Sequence, residues 1–214
     1  SAILISPYIS DRHVNEKEKK NVAEKRAIGA AAAALISQDD SIIIASGTTM
    51  AFLAREIKPV GHLTVITAAV PVTQILSQHA DVDVIQLGGI TRSSSVSVVG
   101  PFAEAMLRNF NCSKLFVGVD GIDTEFGLTT TNMLEASLND AMINAAQKVA
   151  IFVRPHKMPR RHFRCAKLHG KIQKCLELDF AIAQYIRVRR APSAVFFEEV
   201  AEHAIPVFAG KIDR

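Results

Sequence analysis

Four adjacent residues, Ser46-Gly47-Thr48-Thr49, place three hydroxyls and a glycine immediately after the apolar run Ser41-Ile42-Ile43-Ile44-Ala45. Gly47 lets the chain turn sharply and come close to a ligand. Where a helix follows such a turn, its first N–H groups are unpaired donors beside the positive end of the dipole. Together these groups make a cradle for phosphate. It is not a Walker A loop, which needs Gly-Lys-Ser/Thr, and the Gly-x-Gly-x-x-Gly of dinucleotide sites is absent. The same tetrapeptide would also serve as a plain strand-to-helix turn capped by Ser46 or Thr48, and both readings stay open at this level.

Further groups able to meet a small polar ligand follow in order. Gly88-Gly89-Ile90-Thr91-Arg92 combines a glycine pair with a cation that either reaches an anion or is solvated. Asp120-Gly121-Ile122-Asp123, then Gly127-Leu128-Thr129-Thr130 and Glu135, bring three carboxylates within sixteen residues. Carboxylates in such a loop accept sugar hydroxyls or act as general acid and base, and either aspartate alone could simply make an Asx-turn. Lys157, in Arg154-Pro155-His156-Lys157, would add a cation. His156, His162, Cys165, His169 and Cys175 fall within twenty residues, but their spacing matches no common zinc finger and no Cys-x-x-Cys occurs. Neither a metal nor a cofactor is expected.

The elements that must position these groups are legible in the periodicity. Residues 1–15 read as an extended lead-in, and 16–36 as one long helix with Asn15 as its N-cap. The five alanines from Ala30 to Ala34 suggest close packing against a neighbour. Short β-branched runs then alternate with helical stretches. Strands are expected at 41–45, 63–67, 82–87, 114–119 and 149–153. Helices are expected at 48–57, 71–79, 101–110 and about 134–147, and the tail adds a helix at 193–203 and a strand at 205–208. This alternation means βαβ units, hence an α/β fold with a mostly parallel sheet flanked by helices. Parallel sheets bind ligands at the carboxyl ends of their strands, where all the groups above fall.

The bulk properties exclude several classes. The chain has 214 residues, 49% hydrophobic and 21% charged, with no apolar run long enough for a bilayer-spanning helix. Three cysteines are too few and too odd for a disulfide framework, which points to the cytoplasm. The net charge of +4 hides an asymmetry: residues 154–190 hold 11 Lys/Arg against two acids, a local +9. The remaining 14 Lys/Arg and 19 Asp/Glu leave −5, so charge alone does not make this a nucleic-acid binder. Arg160, Arg161, Arg164, Arg187, Arg189 and Arg190 are expected at the mouth of an anion site or in solvent rather than on DNA.

The ordered set Ser-Gly-Thr-Thr, Leu-Gly-Gly, Val-Gly, Asp-Gly-Ile-Asp, Gly-Leu-Thr, Glu-Ala and a later Lys, from about Glu24 to Lys157, resembles the effector domain of DeoR-type bacterial transcriptional repressors. The resemblance implies the three-layer fold shared with ribose-5-phosphate isomerase, glucosamine-6-phosphate deaminase and CoA transferases. It implies a phosphorylated sugar effector bound without turnover, its phosphate on Ser46 to Thr49, with Gly89, Arg92, Gly121 and Lys157 nearby. Sugar hydroxyls are then expected near Asp120, Asp123 and Glu135. The alternative is a sugar-phosphate isomerase or deaminase with a carboxylate base. The lysine-bearing glycine stretch of the isomerases is missing, and Ile122 and Thr124 match the regulators better. The chain departs from the family pattern at Ala45, at Thr67-Ala68-Ala69 and at Arg154-Pro155-His156. Residues 16–214 are expected to form the effector domain and 1–15 a linker remnant. DNA would be read only by a winged helix-turn-helix that this sequence lacks. No membrane role follows, and a homo-oligomer is expected through the alanine-rich helix and residues 93–99.

Overall fold

A computed structural model describes residues 14–123, 127–153, 163–166 and 184–187. The chain opens with α1 (Val14–Glu18) and α2 (Val22–Ala33). It continues through β1 (Ser41–Ile44), α3 (Thr48–Glu56), β2 (Leu63–Thr67), α4 (Val70–Leu76) and β3 (Val82–Gln86). Next come β4 (Ile90–Arg92), β5 (Ser97–Val99), α5 (Pro101–Leu107) and β6 (Cys112–Val119). The last elements are β7 (Gly121–Asp123), β8 (Gly127–Thr130), α6 (Met133–Asn144), β9 (Ala146–Val153), β10 (Phe163–Ala166) and β11 (Gln184–Arg187).

Six strands form the main sheet in the order β11-β9-β6-β1-β2-β3. Its inner pairs are parallel, and β11 runs antiparallel to β9 at one edge. The expected mostly parallel sheet is therefore present. The β-branched runs are continuous because alternate residues feed two cores. Ile43, Ile66, Leu115, Val117, Val149 and Ile151 pack on the α5–α6 side. Ile42, Ile44, Val65, Phe116, Ala150 and Phe152 pack on the side of α2, α3 and α4. Helices thus cover both faces, giving three layers.

The single helix expected over 16–36 is broken. Asn21 adopts a left-handed conformation (φ 52°), which asparagine tolerates better than most residues, and the chain redirects between α1 and α2. Asn15 lies inside α1 and not ahead of it. The small residues of α2 make their close approach within the chain: a Cβ on Gly29 would stand 2.9 Å from the backbone of Phe52 and Leu53 in α3.

Two small sheets escaped the periodicity. β4 and β5 form an antiparallel hairpin where 93–99 reads only as a Ser/Val stretch, and Ser97 to Val99 are buried in it. β7, β8 and β10 form a three-stranded antiparallel sheet where the Asp120 loop was expected. The expected tail elements at 193–203 and 205–208 lie outside the described residues. Among the described residues no helix is long and apolar enough to cross a membrane.

Candidate functional site

The carboxyl ends of β1 and β6 open on a cavity of about 280 Å³. Its floor is the turn Ser46-Gly47-Thr48-Thr49, which carries the chain from β1 into α3. Gly47 is the N-cap of α3 at φ 122°, a conformation that favours glycine, and a Cβ there would meet nothing within 4 Å. Glycine is therefore needed for the backbone and not for want of room, and the space above it belongs to the cavity. No side chain caps α3. Its first N–H groups, those of Thr48, Thr49 and Met50, have no intrahelical acceptor and border the same space. The plain capped turn that the tetrapeptide also allowed is not what forms.

One wall carries carboxylates. Asn132 caps α6 by accepting from the Glu135 N–H at 3.0 Å, which fixes Glu135 in the first turn beside the floor. The Ser46 hydroxyl donates to Glu135 Oε1 at 3.4 Å, and Arg92 Nη1 donates to Oε2 at 2.7 Å. Arg92 Nη2 also donates to Ser94 Oγ at 3.3 Å, within the β4–β5 hairpin. Burial pushes the Glu135 carboxyl above its ordinary range; Arg92 and Lys17 pull it down, Asp120 pushes it up, and the net shift is upward. Asp120 Oδ2 accepts from Thr130 Oγ1 and from the Thr131 N–H, both at 3.1 Å, which holds the aspartate at the rim.

A second part of the lining comes from α1 and α2 and is cationic. Lys17, Lys20 and Lys25 line it together with Asn21, Glu24 and Ile28. Lys25 is 8% exposed, and its ammonium donates to the Lys17 carbonyl, tying the two helices together. Anion-attracting groups and hydrogen-bond acceptors therefore line one cavity. That combination suits a ligand carrying both a phosphate and hydroxyls.

A family model for the DeoR C terminal sensor domain matches residues 20–172, which takes in every element of this cavity except α1. The chain belongs to that family. The sensor domain is 33% identical over 162 residues to an uncharacterized HTH-type transcriptional regulator, YulB, of Bacillus subtilis, covering 76% of this chain and 62% of that protein. It is 30% identical over 162 residues to the HTH-type transcriptional regulator GlpR of Haloferax volcanii, covering 76% and 63%. A lactose phosphotransferase system repressor of Staphylococcus aureus is 38% identical over 120 residues, covering 54% and 47%. The chain thus spans about half to two thirds of the length of these relatives. Among solved structures it is similar to ribose 5-phosphate isomerase A of Methanocaldococcus jannaschii, at 13% identity and a TM-score of 0.43, covering 61% of this chain and 52% of that one.

Of the residues singled out in the sequence, Ser46, Gly47, Thr48, Thr49, Asp120 and Glu135 line the sensor domain's cavity. Arg92 stands behind Glu135 and reaches the site through it. Gly89 does not line it: a Cβ there would stand 2.7 Å from the Val99 carbonyl oxygen, so this glycine serves hairpin packing. Gly121 is buried in β7, where its carbonyl accepts from Thr129 Oγ1 at 3.3 Å. Lys157 and the side chain of Asp123 lie outside the described residues, as do His156, His162, His169, Cys175 and the side chain of Cys165. Among the described residues no cluster of His, Cys, Asp or Glu is arranged to hold a metal.

The cationic wall is what sequence reasoning missed. Its signal was present: Lys25 falls three residues before Ile28, four before Gly29 and seven before Ala32, on the buried stripe of α2. A lysine on that stripe is either snorkelling or facing a polar cavity.

Proposed function

We propose that this chain is the ligand-sensing part of a DNA-binding transcriptional repressor of sugar metabolism, and that it holds a phosphorylated sugar without converting it. The observation that carries the reading is the uncapped start of α3, presented by Gly47 into a cavity lined by lysines and carboxylates. Phosphate sits at Thr48 and Thr49 against the lysines, and the sugar hydroxyls face Glu135 and Asp120. Asp123 and Lys157 complete the contacts. Residues 16–214 form the effector domain, which assembles as a homo-oligomer, and residues 1–15 belong to a linker. DNA contact falls to the part of the relatives that this chain does not span. Similarity to HTH-type transcriptional regulators and to a lactose phosphotransferase system repressor supports the reading.

Isomerisation or deamination is the competing activity, because a buried carboxylate with a raised proton affinity is the type of group a proton-shuttling enzyme uses. Here both carboxylates are engaged, Glu135 by Arg92 and Asp120 by Thr130 and Thr131. A thermal-shift screen of sugar phosphates, followed by NMR of the best ligand, separates the two. Stabilisation with the ligand unchanged supports the sensor; product formation overturns it. In Thr48→Val/Thr49→Val, which removes the hydroxyls and keeps the N–H groups, the ligand-induced shift should fall well below the parent's, while unfolding stability stays within about 1 kcal/mol of it. An undiminished shift would mean the turn does not hold the phosphate.

A further inference from the structure

The contact between Glu135 and Ser46 sits oddly in an anion site. A carboxylate accepts from one of the hydroxyls of the turn assigned to the ligand's phosphate, and its other oxygen holds Arg92. The two side chains are only 20% and 11% exposed, so water screens them weakly. A dianion placed on the turn would lie beside this carboxylate and require the same donors.

We infer that Glu135 is an internal competitor of the ligand's anion: it holds Ser46 and Arg92 itself, and an anion entering the cavity takes the Ser46 hydroxyl from it first, Arg92 standing behind the carboxylate. The inference rests on the functional reading above and names how that same site is controlled. Glu135 thereby sets the threshold for occupancy, and it favours ligands whose anion is charged enough to displace it. The exchange also extends outward. Arg92 is joined to Ser94, and the Ser94 carbonyl accepts from the Val14 N–H of α1 at 2.7 Å. Loss of the Glu135 contact therefore loosens the hairpin anchor to which α1 is hooked.

The charged groups around Glu135 are Arg92 from β4, Lys17 from α1 and Asp120 from the end of β6. Lys20, Glu24 and Lys25 line the same cavity from the α1–α2 side. On α5, Glu104 acts on Asp140, further along α6. Burial and Asp120 already favour the protonated form of Glu135, and a bound anion would favour it more, so binding takes up a proton.

The test uses inorganic sulfate as the probe, because its charge is fixed between pH 5 and 7.5, and reads affinity by calorimetry or thermal shift. In the parent chain, sulfate binding should strengthen as the pH falls across that range. In Glu135→Gln it should be at least five-fold tighter at pH 7.5, and most of the pH dependence should disappear. An unchanged or weaker affinity in Glu135→Gln overturns the inference. If that variant does not fold, the parent alone decides: pH-independent sulfate binding overturns the inference, and proton uptake measured in buffers of different ionisation enthalpy supports it. A parent chain blind to sulfate, phosphate and every sugar phosphate would instead overturn the functional reading beneath.

Discussion

Two carboxylates at opposite ends of β1 each face a cation, yet their proton affinities move in opposite directions. Asp40 precedes the strand and pairs with Lys114 of β6, both side chains 10% exposed; Glu135 meets the turn after the strand and pairs with Arg92. Burial on its own would raise both. Asp40 ends below its ordinary value because hydrogen bonds from Lys114, from the Ser37 N–H at 2.7 Å and from Ser113 Oγ at 2.7 Å outweigh burial. Glu135 ends above it, since Arg92 and a long bond from Ser46 do not suffice. The difference is depth of burial together with supply of donors. At the amino end of the sheet the carboxylate is saturated and its cluster serves stability. At the carboxyl end it lies deeper and is given fewer donors, beside the cavity.

The largest effect that would break this contrast is at the saturated end. Asp40→Ala leaves Lys114 buried without its partner and strips acceptors from Ser37 and Ser113, so it should cost about 3–5 kcal/mol. Urea unfolding measures the loss, and Asp40→Asn with Lys114→Met should recover much of it. Ligand-induced stabilisation, scaled to the variant's own melting point, should be unaffected. If Asp40→Ala costs no more than Glu135→Gln, the two clusters are not different in kind.

A smaller effect is expected from the mirror-image change at the other end. Arg92→Met also strands a carboxylate, but Glu135 can take up a proton and become neutral. The cost should be about 2 kcal/mol at pH 7.5. It should shrink as the pH falls, because protonation removes the uncompensated charge. A cost that is flat with pH would mean that Glu135 stays ionised and is not undersupplied.

The two ends also differ in how far they could be read from the sequence. Ser46 to Thr49 and Asp120 were legible because each follows a short β-branched run, and strand ends fix position in a parallel sheet whatever the packing above them; Glu135, in the first turn of a helix, was singled out only as a third carboxylate in the same stretch. Asp40 and Lys114 were not: a polar residue just ahead of a strand and one at its start are ordinary, and only the β1–β6 register brings them together. The hairpin that delivers Arg92 was hidden because β4 and β5 span three residues each, too short for a period to show. Lys17 and Lys20 were hidden by the break at Asn21, since a backbone turning left-handed at an asparagine leaves little mark in a helical pattern. Sequence thus located the cavity's floor, and tertiary contacts supplied its walls.

The subtlest separation lies in the pH dependence of folding itself. Asp40 has its proton affinity lowered on folding, so its contribution to stability is present above the unfolded value, about 3.9, and is lost as the pH falls through the folded one. Glu135 has its affinity raised. Between about 4.3, the unfolded value, and its higher folded one, the native chain holds more protons than the unfolded chain, and stability is lost as the pH rises. Replacing each carboxylate by its amide exposes the two terms with opposite slopes. The stability of Glu135→Gln relative to the parent should climb as the pH is raised from 4 toward neutral. The deficit of Asp40→Asn should hold steady over that range and narrow only in stronger acid. Urea titrations at closely spaced pH values read both. Parallel slopes would mean that the donors around Glu135 satisfy it as fully as those around Asp40, and the carboxylate end of the cavity would then be a second structural clamp.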